Sequence, residues 1–94
     1  MVTSWWLYLL WSPTGKRHYS GISPDPDRRL REHNAGTGAK ATRPEKWRPW
    51  VLVYRLEVGT YSEALRRERA MKRLSKAEKL NLHWSHHDRC KTSV

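Results

Sequence analysis

Five side chains in this sequence have the types that chemistry on phosphate esters uses: Tyr8, Tyr19, Arg29, His33 and Glu68. Glu68 stands out first. Tyr61, Ala64, Leu65, Met71 and Leu74 recur at the spacing of one helix face, and Glu68 falls inside that stripe, four after Ala64 and three before Met71. A carboxylate on a core-facing stripe is costly unless it meets a cation. A salt bridge to one of the many arginines, a stripe edge open to water, or a bound metal would each answer that cost. Arg29 and His33 lie four apart, which on a helix stacks them on one face. Arg28, Arg29, Arg31 and His33 together also read as a solvated, phosphate-binding face. Tyr8 and Tyr19 also read as core aromatics whose hydroxyls find backbone or water. As a set, paired phenols, an arginine, a histidine and an isolated carboxylate are the parts of a one-metal phosphodiester hydrolase.

The elements that must position these groups follow from local chemistry. Residues 5 to 11 (Trp-Trp-Leu-Tyr-Leu-Leu-Trp) are short, aromatic and continuously apolar, the pattern of a strand buried on both faces. Ser12-Pro13-Thr14-Gly15 reads as a turn, and residues 16 to 22 return as the second strand of a hairpin. With those four residues as the loop, Trp11 faces Lys16 and Tyr8 stands opposite Tyr19, with Gly21 on the same face. Pro24 and Pro26 suit the first turn of a helix capped by Ser23 or Asp25 and ending near Asn34, with Leu30 its one strong apolar anchor. Residues 35 to 48 read as a glycine-containing basic loop and residues 50 to 56 as a third strand. Thr60 with Glu63 forms a capping box for a helix from Tyr61 to about Leu74, and Ser75 with Glu78 forms another for a helix that fades near His83. The order β-β-α-β-α-α predicts an α+β domain over residues 1 to 83, a three-stranded antiparallel sheet with packed helices. Residues 84 to 94 read as a basic, frayed tail.

Composition narrows the partner. Nineteen Lys and Arg against nine Asp and Glu give a net charge of +10 on 94 residues, one domain's worth of chain built to attract a polyanion. Six Trp and four Tyr with no Phe suit base stacking, although at least half of the tryptophans are expected to fill core. Trp47 and Trp50, beside Arg43, Lys46 and Arg48, are the stacking candidates. No apolar run approaches the roughly 20 residues of a membrane span, and no basic leader precedes an apolar segment, so neither a membrane nor a secretory signal is expected. The lone Cys90 forms no internal disulfide, in keeping with a cytoplasmic protein. His83, His86, His87 and Cys90 have metal-like spacing but crowd one terminal segment without a second half, so a zinc site is not expected from them.

Leu7-Tyr8-Leu9, followed after a gap by Tyr19-Ser20-Gly21, resembles the two signature strands of the GIY-YIG nuclease superfamily. Residues 22 to 34 resemble its strand-to-helix segment. Gly36-Thr37-Gly38-Ala39-Lys40 and residues 62 to 68 are similar to its small stand-alone bacterial members, related to the endonuclease domain of UvrC. The resemblance covers roughly residues 5 to 80, and its joint spacing is specific. Trp6 and Leu7 replace the first motif's glycine and isoleucine, and Ser20 the second motif's isoleucine. The resemblance implies a Mg²⁺-dependent DNA endonuclease, with Mn²⁺ as a substitute. Glu68 would hold the metal and Arg29 the scissile phosphate. Tyr8 would be the preferred base, if positive charge lowers its pKa, with Tyr19 and His33 assisting. Arg28, Arg31, Asn34, Lys40, Arg43 and Trp47 are the expected DNA contacts, with single-stranded or branched DNA the expected substrate. A non-catalytic nucleic-acid-binding module and an RNA-directed nuclease stand as the alternatives.

Overall fold

The computed structural model describes residues 3–83. Strands β1 (Trp5–Ser12), β2 (Arg17–Ser23) and β3 (Val51–Gly59) form one antiparallel sheet in the order β2-β1-β3. Helix α1 (Pro26–Ala35) follows the hairpin, α2 (Tyr61–Arg73) follows β3, and a third helix, α3, covers residues 76–83. This is the α+β order β-β-α-β-α-α. The segment between α1 and β3 carries single 3₁₀ turns at Lys40–Thr42 and Glu45–Trp47 where the sequence predicts a plain loop.

Because β1 is central, its side chains are buried on both faces, which is why its sequence is continuously apolar rather than alternating. One face carries Leu7 and Leu9 against Met71, with Val53, Leu74 and Leu82 around them. The other carries Tyr8 and Leu10 against Trp50, with Tyr19, Leu30 and Trp47 around them. The first face therefore lies under α2 and α3, the second under α1.

The hairpin register differs from the sequence expectation. Ser12 pairs with Arg17, so the loop is 13–16, and Tyr8 faces Gly21 while Tyr19 faces Leu10. Ser12 is drawn into the strand end because its hydroxyl donates to the Trp47 carbonyl at 2.7 Å and accepts from the Gly15 amide at 2.9 Å. The shift is two positions in total, so both tyrosines stay on one face, diagonal rather than opposite.

The helix signals act as their chemistry dictates. Asp25 caps α1 by accepting from the Arg28 amide at 3.1 Å, while the Ser23 hydroxyl accepts from the Asp25 amide at 2.9 Å and so fixes the approach. Gly36, at φ 81°, ends the helix with the left-handed cap a β-carbon would disfavour. Thr60 accepts from the Glu63 amide at 3.2 Å, and Ser75 and Glu78 exchange reciprocal bonds of 2.9 and 3.1 Å. On α2, Ala64 and Met71 are buried, but Tyr61 is half exposed, because at the first helical position it lies beyond the core and meets Trp5 edge-on at 4.9 Å.

Candidate active site

Tyr8 lies in the middle of the central strand, 1% exposed, directly across from Gly21. A β-carbon on residue 21 would stand 2.5 Å from the Tyr8 hydroxyl, so glycine is required here for its vacancy. The Tyr8 hydroxyl is 2.9 Å from Nε2 of His33, whose Nδ1 is 2.6 Å from the hydroxyl of Thr42. Thr42 in turn donates to the Ala39 carbonyl at 2.9 Å. That last bond uses the only proton on the threonine oxygen, so the oxygen must accept the Nδ1–H of His33. Nε2 is then bare, and Tyr8 donates to it. His33 and Thr42 are both fully buried, and Gly38 closes over the imidazole so tightly that a β-carbon there would stand 2.5 Å from Nδ1.

Burial decides the electrostatics. It is the largest influence pushing the Tyr8 phenol up to about 12, with Tyr19 adding to it and the nearby Arg29 guanidinium opposing it. The sequence reading required positive charge to lower this value; Arg29 acts in that direction but loses to desolvation. Tyr19 is raised as well, first by burial and then by the charge of Glu68. His33 falls to about 4, first through burial and then through Arg29. At neutral pH the pair is therefore a phenol donating to a neutral imidazole.

Arg29 is partly exposed, and Glu32 one turn along α1 grips its guanidinium at 2.6 Å, raising the arginine's pKa and lowering its own. Glu68 on α2 has a largely buried side chain, 15% exposed, with an exposed Lys72 ammonium 3.9 Å away. Its charge acts on both tyrosines. A largely buried carboxylate with so weak a counter-charge is the hard oxygen donor that Mg²⁺ takes. Among the described residues no three His, Cys, Asp or Glu cluster as a ready-made cage, so such an ion would be held by Glu68 and water.

The structure thus brings Tyr8, Tyr19, Arg29 and His33 into one neighbourhood, with the Tyr19 and His33 rings 5.1 Å apart, and places Glu68 within electrostatic reach. The expected DNA contacts scatter more widely. Arg28, Arg31, Lys40 and Arg43 are exposed, and Arg43 also donates from Nε to the Gly38 carbonyl at 3.1 Å. Asn34 uses both ends of its amide on the Trp50 backbone, at 2.6 and 3.1 Å, and so fastens the start of β3. Trp47 is half-buried against the hairpin turn, with the Arg17 guanidinium 3.8 Å from its ring centroid. Sequence reasoning missed Thr42, which sets the imidazole's tautomer, and Glu32, which holds Arg29. It also missed Arg55, paired with Tyr8 across the sheet and 5.7 Å from the Trp6 ring. Only Glu32 carried a local signal, the i, i+3 spacing from Arg29.

A family model described as the GIY-YIG catalytic domain matches residues 4–81. A UPF0213 protein of Enterococcus faecalis is 42% identical over 76 residues, covering 81% of this chain and 85% of that one. A UPF0213 protein of Serratia proteamaculans is 43% identical over 82 residues, covering 87% and 78%. Among solved structures, the solution NMR structure of protein EF2693 from E. faecalis is similar at 38% identity and a TM-score of 0.58, covering 89% of this chain and 86% of that one. No described helix is long and apolar enough to cross a membrane.

Proposed function

We propose, from the premise that this chain belongs to the GIY-YIG catalytic-domain family, that it is a Mg²⁺-dependent endonuclease hydrolysing DNA phosphodiester bonds, acting in repair or processing and favouring single-stranded or branched DNA. The family is one of nucleases with nucleic acid as substrate; the metal, the nucleic acid and its form are the further step. The observation that carries it is the directed chain from Tyr8 through His33 to Thr42, with Arg29 beside it and Glu68 close by.

In this reading a water next to the Tyr8 hydroxyl donates to that oxygen while the phenol proton passes to the bare Nε2 of His33. His33 then becomes an imidazolium whose Nδ1–H is already held by Thr42. The resting pKa values, about 12 and about 4, hold the proton on Tyr8 by a wide margin, so the relay is silent in the substrate-free protein. Positive charge beside the phenol narrows that margin, and Arg29 acts in that direction on Tyr8. Arg29 releases or shares Glu32 and clamps the non-bridging oxygens, where charge grows in the transition state. Glu68 would hold Mg²⁺, which would supply charge neutralisation at the phosphate and the leaving oxygen. The preference for unpaired DNA rests on the basic segment 35–48 and the partly open Trp47 ring, since stacking a freed base is worth roughly 1–3 kcal/mol. The lone Cys90 favours the cytoplasm as the working compartment.

The test is an initial-rate panel at one salt concentration, with single-stranded, duplex and branched DNA and matched RNA, in Mg²⁺, Mn²⁺ or chelator. Metal-dependent cutting fastest on unpaired or branched DNA is expected. Binding without cleavage in any metal would leave a nucleic-acid-binding module, faster cutting of RNA would reassign the substrate, and faster cutting of intact duplex would remove the stacking argument.

A further inference from the structure

A second group of metal-competent side chains lies three residues along β1 from Tyr8 and on the opposite face of the sheet. His18 of β2 pairs with Trp11 of β1, and His83 approaches it from α3. The two Nε2 atoms are 2.7 Å apart, with ring centroids at 4.8 Å and planes 76° apart. Trp11 packs against both imidazoles, at 4.6 and 5.4 Å between centroids, and holds them edge to edge. Two side chains 65 positions apart therefore aim the same nitrogen at the same point. In the sequence, His83 had companions only in the terminal segment; the fold supplies the missing second half in His18. His86, His87 and Cys90 lie outside the described residues, and a site built on His18 and His83 does not require them.

We infer that His18 and His83 form a two-histidine site for a borderline divalent transition metal of the Zn²⁺ class, distinct in place and chemistry from the carboxylate at Glu68. Imidazole nitrogens bind Zn²⁺ at about 2.0–2.1 Å, and two ligands around a tetrahedral ion stand about 3.3 Å apart. The nitrogens have to open by about 0.6 Å to admit one, a small rotation of two half-buried rings. Mg²⁺ takes oxygen ligands and does not compete for paired imidazoles. With two protein ligands, water completes the shell. Lys76 and Lys79, whose charges act on His18, also oppose an added cation, so affinity is moderate rather than structural-zinc tight. The ion would fasten α3 to the hairpin, where Leu82 is the helix's apolar anchor on the core.

The test uses the full chain, without DNA or Mg²⁺, titrated with ZnCl₂ by calorimetry and followed by thermal unfolding. Wild type should bind one Zn²⁺ per chain, and its Tm should rise by about 10–20 °C at a free Zn²⁺ concentration near one hundred times Kd. His18→Phe and His83→Phe keep a ring against Trp11 but remove the ligand, and each should weaken binding at least tenfold and abolish the Tm shift. Glu68→Gln should bind Zn²⁺ as wild type does. A readout independent of any variant is imidazole NMR, where the resonances of His18 and His83 should move together as Zn²⁺ is added. Undiminished binding by His18→Phe, no binding by wild type, or Zn²⁺ shifts that spare His18 would each overturn the proposal and leave the pair a hydrogen bond.

Discussion

Replacing Gly21 with alanine tests the geometry of the Tyr8 phenol directly. The added carbon would stand 2.5 Å from the Tyr8 hydroxyl oxygen, 2.6 Å from Cζ and 3.0 Å from Cε2. Gly21 is not among the positive-φ residues, so the backbone accepts alanine and the effect is steric alone. Ordinary contact requires the tyrosine ring to retreat by about 1 Å, against a core that is packed like a crystal. Overpacking of that kind costs about 1–3 kcal/mol. The retreat also strains or breaks the 2.9 Å bond to His33, leaving a buried donor and acceptor unpaired at a further ~1–3 kcal/mol. Gly21→Ala should therefore lose about 2–6 kcal/mol in urea unfolding and, in protein that remains folded, about a hundredfold in cleavage rate, the usual cost of a 1 Å misplacement. A variant within about 0.5 kcal/mol of wild-type stability and close to its rate would refute the claim that vacancy at residue 21 positions Tyr8.

Glu68→Gln should keep the fold and DNA binding but lose at least about a hundredfold in Mg²⁺-dependent rate, because an amide is a poor ligand for a hard cation; full activity would take Glu68 out of the mechanism. Arg29→Ala should lower turnover strongly, whereas Arg28→Ala and Arg31→Ala should weaken binding and flatten its salt dependence, and equal affinity losses at all three would reduce α1 to a phosphate-binding face. Thr42→Val keeps the shape but strands the Nδ1–H of His33, so about 1–3 kcal/mol of stability should go, together with turnover; unchanged activity would sink the proposed tautomer. For pH, His33 is depressed from 6.5 to about 4 in the fold, so the unfolded chain binds its proton first and stability is lost as pH falls from 6.5 toward 4. Comparing urea unfolding at pH 7.5 and 4.5, a loss of about 2–3 kcal/mol is expected from this fully buried group, with His18 acting in the same direction, and a His33→Gln variant with the same pH slope would contradict it.

The sequence disclosed those parts of the molecule whose causes are local. Caps at Asp25, Thr60 and Ser75, the glycine stop at Gly36 and the two-sided burial of β1 each depend on a few neighbouring residues. The stripe that singled out Glu68 is likewise local, and the tyrosines stayed on one face because a shift of two preserves the pleat's parity. What was not legible depends on contacts far apart in the chain. The hairpin register turns on Ser12 meeting Trp47, 35 residues away. The pKa of Tyr8 turns on how completely α1 and its following segment cover the phenol, and the role of Thr42 on that segment folding back over His33. The contact between His18 and His83 joins the second strand to the last helix, a pairing no spacing rule anticipates.

The scattering of the site along the chain bears on how the protein is made. Tyr8 comes from β1, Tyr19 from β2, Arg29 and His33 from α1, Thr42 from the segment after it, and Glu68 from α2. No stretch emerging from the ribosome before α2 contains the whole set, and the hairpin alone offers two phenols without His33 or Glu68. On the proposed mechanism, a nascent or truncated chain would lack the carboxylate of Glu68 and would not cleave nucleic acid until α2 docks on the sheet. Latency during synthesis would then be a property of the chain order itself and would require no inhibitor.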